Sequence, residues 1–181
     1  MIILVGASAS GKTVVAKRLG EMYGIEKFVT HTTRNMRVGE QDGVDYFFVT
    51  KQKFLNMQVN DKFVETTIYN ENYYGTAKAN IGFEKVLIVE PMGLKSFIEL
   101  NNPRIVTFYL DCPESVRYER MLSRGDDKKL AQERINLDKH RFSLDKVEIA
   151  DYIINAQVNS IDEVTDLVYS LYKSHLAKLD D

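Results

Sequence analysis

The sequence predicts an α/β fold: a mostly parallel sheet flanked by helices on both faces, with a mixed α/β segment inserted into it. Three observations predict it. Apolar, strand-like runs recur along the chain at residues 2–5, 86–89, 105–110 and 152–154. Helical patterns alternate with them, which favours crossover connections and therefore parallel neighbours. Between about Arg34 and Tyr74 the alternation breaks, and the chain becomes polar, aromatic and rich in strand formers.

Each element has a local reason. Met1-Ile2-Ile3-Leu4-Val5 carries no polar residue and reads as a buried strand, and Val14-Val15-Ala16-Lys17-Arg18-Leu19 reads as the helix that follows. In the inserted segment Tyr46-Phe47-Phe48-Val49 and Phe63-Val64-Glu65-Thr66 read as strands, with a short helix at about 54–57 between them. Asp111-Cys112-Pro113-Glu114 reads as a helix start, with proline in the first turn and glutamate near the positive end of the dipole. Ser160-Ile161-Asp162-Glu163 has the spacing of a capping box. It opens a last helix whose Ile161, Val164, Leu167, Val168, Leu171 and Tyr172 fall on one apolar stripe.

Composition narrows the function classes. With 181 residues, 44% of them hydrophobic, the chain can bury a real core as one domain. A net charge of −2 gives no electrostatic pull toward nucleic acid or acidic lipid, so neither is expected as a partner. The single cysteine, Cys112, excludes an internal disulfide and a multi-cysteine metal site, and suits a reducing compartment. No apolar run approaches the roughly 20 residues of a membrane span, and the chain enters a core strand at once. The expected location is cytoplasmic.

Between the first strand and the first helix stands Gly6-Ala7-Ser8-Ala9-Ser10-Gly11-Lys12-Thr13. This is G-x-x-x-x-G-K-[ST] in the strand–loop–helix setting that gives it meaning. The backbone amides of such a loop converge on the phosphates of a nucleoside triphosphate, helped by the helix dipole. Lys12 supplies a charge for the β- and γ-phosphates, and the Thr13 hydroxyl can hold Mg²⁺.

The inserted segment opens with Thr30-His31-Thr32-Thr33-Arg34-Asn35-Met36-Arg37-Val38-Gly39-Glu40 and runs on to Tyr46. Two arginines three apart, flanked by hydroxyls and followed by a phenol, suit a phosphate clamp. Read singly, Arg34 and Arg37 also suit a solvated loop, Tyr46 and Tyr74 a half-buried sheet, and Glu65 a solvent-facing strand position. Glu90, at the end of the run 86–89, suits a carboxylate near the reaction centre or a plain exposed glutamate equally. Arg117, Arg120 and Arg124 share a helical face, and Arg134 with Asp138 has the i,i+4 spacing of a surface ion pair.

The order Thr-Thr-Arg-x-x-Arg-x-Gly-Glu-x-x-Gly-x-Asp-Tyr-x-Phe, then Phe-Val-Glu, then Tyr-Tyr-Gly-Thr, resembles the monophosphate-binding region of guanylate kinases. The resemblance covers about residues 2–155 and is dense between Thr30 and Thr76. It implies a P-loop kinase fold and the reaction of Mg·ATP with GMP or dGMP to give ADP and GDP or dGDP. It also implies one domain over 1–181: a core of 1–33, 77–123 and 145–181, a monophosphate-binding subdomain at 34–76, and a helical lid at about 124–144. The implied partners are these small molecules, with the protein a monomer or homodimer.

The resemblance implies roles residue by residue. Arg34, Arg37, Tyr46 and Tyr74 would grip the GMP phosphate, with Glu40 holding the arginines. Thr30 and Thr76 would place hydroxyls near guanine O6. Glu65 would accept from guanine N1–H and the exocyclic amine, a fork of two donors that adenine does not present. Glu90 would contact the base or a metal-bound water. Arg124 and Arg134 would close over the triphosphate and, with Lys12 and Arg34, carry the catalysis, while Asn155 would pass the adenine. His31 would only shape its loop.

Some positions depart from the family pattern. Ala7 stands for a proline and Ala9 for a glycine in the phosphate loop; alanine at position 9 would be strained by about 1 kcal/mol if the loop needs a positive φ there. Val14 stands where another hydroxyl follows Thr13, Met36 for a proline, and Ile88 for the first of two acids. The lid is about one residue shorter between Arg124 and Arg134. Two other readings therefore stay open: a related kinase for another nucleotide or a sugar phosphate, and a noncatalytic module of the same fold that binds proteins. Retention of Gly11, Lys12 and Thr13 counts against the second.

Overall fold

In the computed structural model, the residues described are 1–181 except 38, 70, 82, 83, 90, 143–149, 158, 159 and 181. Four apolar residues without a polar break make β1 (Ile2–Val5) a strand buried on both faces, and it becomes the centre of the main sheet. The other strands of that sheet are β2 (Glu26–Lys27), β7 (Lys85–Ile88), β8 (Val106–Asp111) and β9 (Tyr152–Asn155), in the order β2-β7-β1-β8-β9. Each neighbouring pair is parallel. Parallel pairs need crossovers, supplied in part by α1 (Lys12–Tyr23), α3 (Pro91–Ile98), α4 (Glu114–Ser123) and α5 (Lys128–Arg141); α6 (Ile161–Asp180) follows β9.

The pleat of β1 divides the core. Ile2 and Leu4 join Val15, Leu19, Phe108, Val164, Val168 and Tyr172 under α1 and α6. Ile3 and Val5 point the other way and join Leu87, Leu94 and Phe97 under α3. A smaller cluster of Met121, Ala131 and Ile135 binds α4 to α5.

The helix starts follow their sequence signals closely. Ser160 N–H donates to Glu163 Oε2 at 2.7 Å and Glu163 N–H to Ser160 Oγ at 3.2 Å, the reciprocal bonds of a capping box. Pro113 caps α4 from outside the first turn instead of lying within it. On α6, Val164, Val168 and Tyr172 are buried, but Leu167 is 40% exposed. It lies about 90° around the helix from the centre of the stripe and so falls at its edge.

The second sheet, ordered β4-β3-β6-β5, is built from β3 (His31–Thr32), β4 (Phe47–Phe48), β5 (Phe63–Tyr69) and β6 (Asn72–Ala77). It takes in His31 and Thr32, ahead of residue 34. Helix α2 (Lys51–Val59), capped by the Thr50 hydroxyl, covers one face and stacks Phe54 on Phe63 at 4.5 Å. His31 is buried there against Phe47 and Phe63. On β5, Val64 packs on the α3 side of the main core, which seats the second sheet on the first. No helix among the described residues is long and apolar enough to cross a membrane.

Candidate active site

The phosphate loop leaves β1 pressed against the end of β8. A Cβ on Gly6 would stand 2.8 Å from the Leu110 carbonyl oxygen, so only glycine fits this approach. Ala9 has φ 61°, the left-handed conformation that the loop's glycine pattern anticipates. An L-residue there bears about 1–2 kcal/mol of backbone strain. Its methyl group is not idle, since it packs against Met121, Ala131 and Ile135. Lys12 Nζ folds back to donate to the carbonyls of Gly6 at 2.5 Å and Ala7 at 2.8 Å.

The outer side of this loop is gripped by two arginines of α4. Arg117 donates to Ser8 O at 3.3 Å, and Arg120 to Ala9 O at 3.3 Å and Ser10 O at 3.4 Å. Carbonyl and N–H point in opposite directions across a trans peptide. Ser10 N–H is taken by the Ala7 carbonyl at 3.2 Å, so holding these carbonyls outward turns the amides of Ala9 and Gly11 toward the hollow of the loop, an arrangement suited to an anion.

In the second sheet the clamp residues converge. Arg34 donates to Glu40 Oε1 at 2.7 Å, and the other oxygen of Glu40 accepts from the Arg37 backbone N–H at 2.7 Å. Arg34 lies over the rings of Tyr46 at 5.5 Å and Phe48 at 5.6 Å, and Tyr46 meets Tyr74 edge to face at 6.0 Å. Burial pushes the Tyr46 phenol up, with Tyr74 adding to the shift, so Tyr46 stays a neutral donor. Arg37 is exposed, and its backbone N–H is what bonds to Glu40.

Glu65 and Thr76 face each other across the β5–β6 ladder, and Thr76 Oγ1 donates to Glu65 Oε1 at 2.6 Å. Thr76 is fully buried. Burial raises the Glu65 carboxyl, and the Thr76 hydroxyl and amide pull it partly back. The second oxygen, Oε2, lies where a Cβ on Gly93 of α3 would come within 3.3 Å, so the absence of a side chain there leaves it room. Thr30 enters β3, and its carbonyl accepts from Phe47 N–H at 2.8 Å. Glu90 lies outside the described residues.

On the segment expected to be the lid, Arg124 makes a fork to Asp126, with Nε at 3.0 Å and Nη2 at 2.6 Å. Arg134 reaches the same carboxylate at 3.3 Å. The Arg134–Asp138 surface pair allowed by the spacing does not form. Asp138 points inward instead, because Ala131, Ile135 and Asp138 share the buried face of α5. Asn155 ends β9 beside Asp111 and accepts from Gln157 N–H at 2.9 Å.

The profile of the guanylate kinase family matches residues 1–174. The chain belongs to the guanylate kinase family. A guanylate kinase of Anaplasma phagocytophilum is 30% identical over 98% of this chain and 88% of its own length. One from Onion yellows phytoplasma is 34% identical over 86% of this chain and 80% of its own. The crystal structure of an Anaplasma phagocytophilum guanylate kinase superposes with a TM-score of 0.70 at 24% identity, covering 96% of this chain and 84% of that one, and shows the same fold.

Two residues of this chain escaped the sequence reading as partners of the phosphate loop. Asp138 Oδ2 accepts from Ser8 N–H at 2.8 Å and from Arg117 at 2.9 Å, and both side chains are almost wholly buried. The signal was present: an acid in the apolar stripe of one helix and a base in that of its neighbour, where Arg117 shares a face with Met121.

Proposed function

We propose that this member of the guanylate kinase family transfers the γ-phosphoryl group of ATP to GMP or dGMP, with the phosphate loop as donor site and the second sheet as acceptor site. The observation that carries the reading is the convergence of Arg34, Glu40, Tyr46 and Tyr74 in the same sheet as the buried Glu65–Thr76 pair. The first group suits a phosphate and the second a base with two adjacent donors.

The phosphate of a nucleoside monophosphate is itself a nucleophile, so the chain must position two anions, exclude water and neutralise charge. Lys12 approaches the transferring group from the loop. Arg134 and Arg124, held together by Asp126, are poised to exchange that carboxylate for phosphate oxygens. The residues fit Mg²⁺ arriving with ATP: Thr13, exposed on the first turn of α1, offers one hard oxygen, and the phosphates would supply others. Bound there, the ion would neutralise phosphate charge. No cluster of three His, Cys, Asp or Glu among the described residues suits a resident ion. The single, buried Cys112 suits the reducing cytoplasm.

Incubating the protein with Mg·ATP and each nucleoside monophosphate in turn, and measuring ADP release, tests the reading. GMP and dGMP should stand well above AMP, CMP and UMP; equal rates would remove Glu65 from the base site, and no turnover with any would leave only a binding module. Arg34→Ala should raise KM for GMP by about 10- to 100-fold, as expected for lost charge-assisted hydrogen bonds, with KM for ATP nearly unchanged. A larger effect on ATP would mean that the clamp is misplaced.

A further inference from the structure

The Arg117–Asp138 pair sits where an ion pair has little reason to be. Arg117 is 4% and Asp138 6% exposed. Desolvating two charges offsets most of their attraction, and apolar residues of similar volume commonly serve stability as well or better. What the pair does that apolar residues cannot is hold Ser8. Asp138 accepts from Ser8 N–H at 2.8 Å, while Arg117 donates to Ser8 O at 3.3 Å, to Asp138 at 2.9 Å and to Cys112 O at 3.1 Å. Both backbone polar atoms of Ser8 are thus fixed from outside the loop, immediately before Ala9 at its positive φ.

We infer that Arg117 and Asp138 are positioning residues for the phosphate loop: by gripping Ser8 they hold Ala9 in its left-handed conformation and keep the amides of Ala9 and Gly11 turned toward the triphosphate. A glycine at position 9 adopts that conformation without strain, whereas alanine must be held in it. The methyl of Ala9 contributes by packing on Met121, Ala131 and Ile135 of the same two helices. Asp138 also lies one turn from Arg134 on α5, so the helix that carries a lid arginine carries the loop's brace. The inference rests on the phosphate loop being the ATP site, and wild-type turnover with GMP tests that reading separately.

Two double variants separate positioning from packing. Arg117→Met with Asp138→Leu removes the charges and the acceptor for Ser8 N–H. Arg117→Met with Asp138→Asn removes the charges but keeps an acceptor. The Leu pair should raise KM for ATP about tenfold or more, the size expected for losing a hydrogen bond to a charged group, with KM for GMP within about twofold. The Asn pair keeps the acceptor for Ser8 N–H but loses the Arg117 donor to Ser8 O, and should lie between wild type and the Leu pair in KM for ATP, with KM for GMP within about twofold. Adding Ala9→Gly to the Leu pair should recover about threefold or more of the ATP affinity, because glycine needs no brace.

Equal behaviour of the two pairs, a parallel loss for ATP and GMP, or no rescue by Ala9→Gly would overturn the inference. Amide exchange on the wild-type protein decides the matter even if the Leu pair does not fold. The Ser8 amide should be protected without nucleotide and remain so with adenylyl imidodiphosphate. Fast exchange without nucleotide, or protection lost on adding it, would make Asp138 a placeholder for phosphate and not a brace.

Discussion

Lys12→Ala is expected to lower kcat by about 10²- to 10³-fold or more, the scale of losing one preorganised charge at a developing anion. KM for GMP should change little. The geometry gives the reason for both halves. Lys12 Nζ is bonded to Gly6 and Ala7 carbonyls, at the mouth of the loop and not in the second sheet. When phosphate oxygens arrive, the ammonium can exchange carbonyl acceptors for charged ones with a small movement, since its stem already lies over the loop. Alanine leaves the amides in place, so ATP still has a cradle but the transferring group loses its cation. Stability should fall only modestly, because the lost bonds are partly exposed and such bonds contribute about 0.5–1.5 kcal/mol each. Steady-state kinetics with a melting curve on the same preparation checks this. Retained turnover in a folded variant would remove Lys12 from the chemistry.

The parts of this fold that were legible in the sequence are those with a reason to be apolar over several residues. β1, β7, β8 and β9 are parallel strands whose sequences run mainly apolar, Thr107 being a polar residue inside β8, and the expected bounds hold to within a residue or two. β2 and β3 span two residues each, too few for any periodicity to show, whereas the equally short β4 was legible from the aromatic run Tyr46-Phe47-Phe48-Val49 around it. β6 was legible as Tyr-Tyr-Gly-Thr, a set of site residues, but not as a strand. Its alternation is masked by polar and small residues, and its identity comes from pairing with β5 across the sheet.

The site divides in the same way. Residue types within one loop, such as Lys12 or Arg34 with Glu40, carry their chemistry on a short stretch of chain. Partnerships set by tertiary packing do not. The Glu65–Thr76 bond depends on the register of two strands. Asp138 pairs with Arg117 and Ser8 because its face of α5 turns inward, and Arg134 then takes Asp126. Ala9 is the intermediate case. A glycine pattern announced its positive φ, but only the packed helices explain how alanine is kept there.

Glu65→Gln should separate function from stability most sharply, because the two are expected to move in opposite directions. A guanine presents two donors side by side, and an ionised carboxylate can accept both, whereas a glutamine amide accepts at one atom and confronts the other donor with its own. In a buried site that mismatch costs recognition heavily, and kcat/KM for GMP should fall by about 10²- to 10³-fold while the preference over AMP collapses. Without nucleotide the same carboxyl is a burden. Burial raises its pKa, with Thr76 offsetting only part, so the folded protein holds a proton that the unfolded chain releases. For a carboxyl raised in this way, stability is present below the unfolded pKa and declines as pH rises through the folded one. The melting temperature of Glu65→Gln should therefore exceed that of wild type above this window, and the difference should shrink as pH falls into it. GMP binding runs the other way in wild type, weakening as Glu65 takes up its proton, and Glu65→Gln should lack that contribution to the pH profile. A variant that loses stability and GMP affinity together, with no change in pH profile, would make Glu65 a structural partner of Thr76 and not the reader of the base.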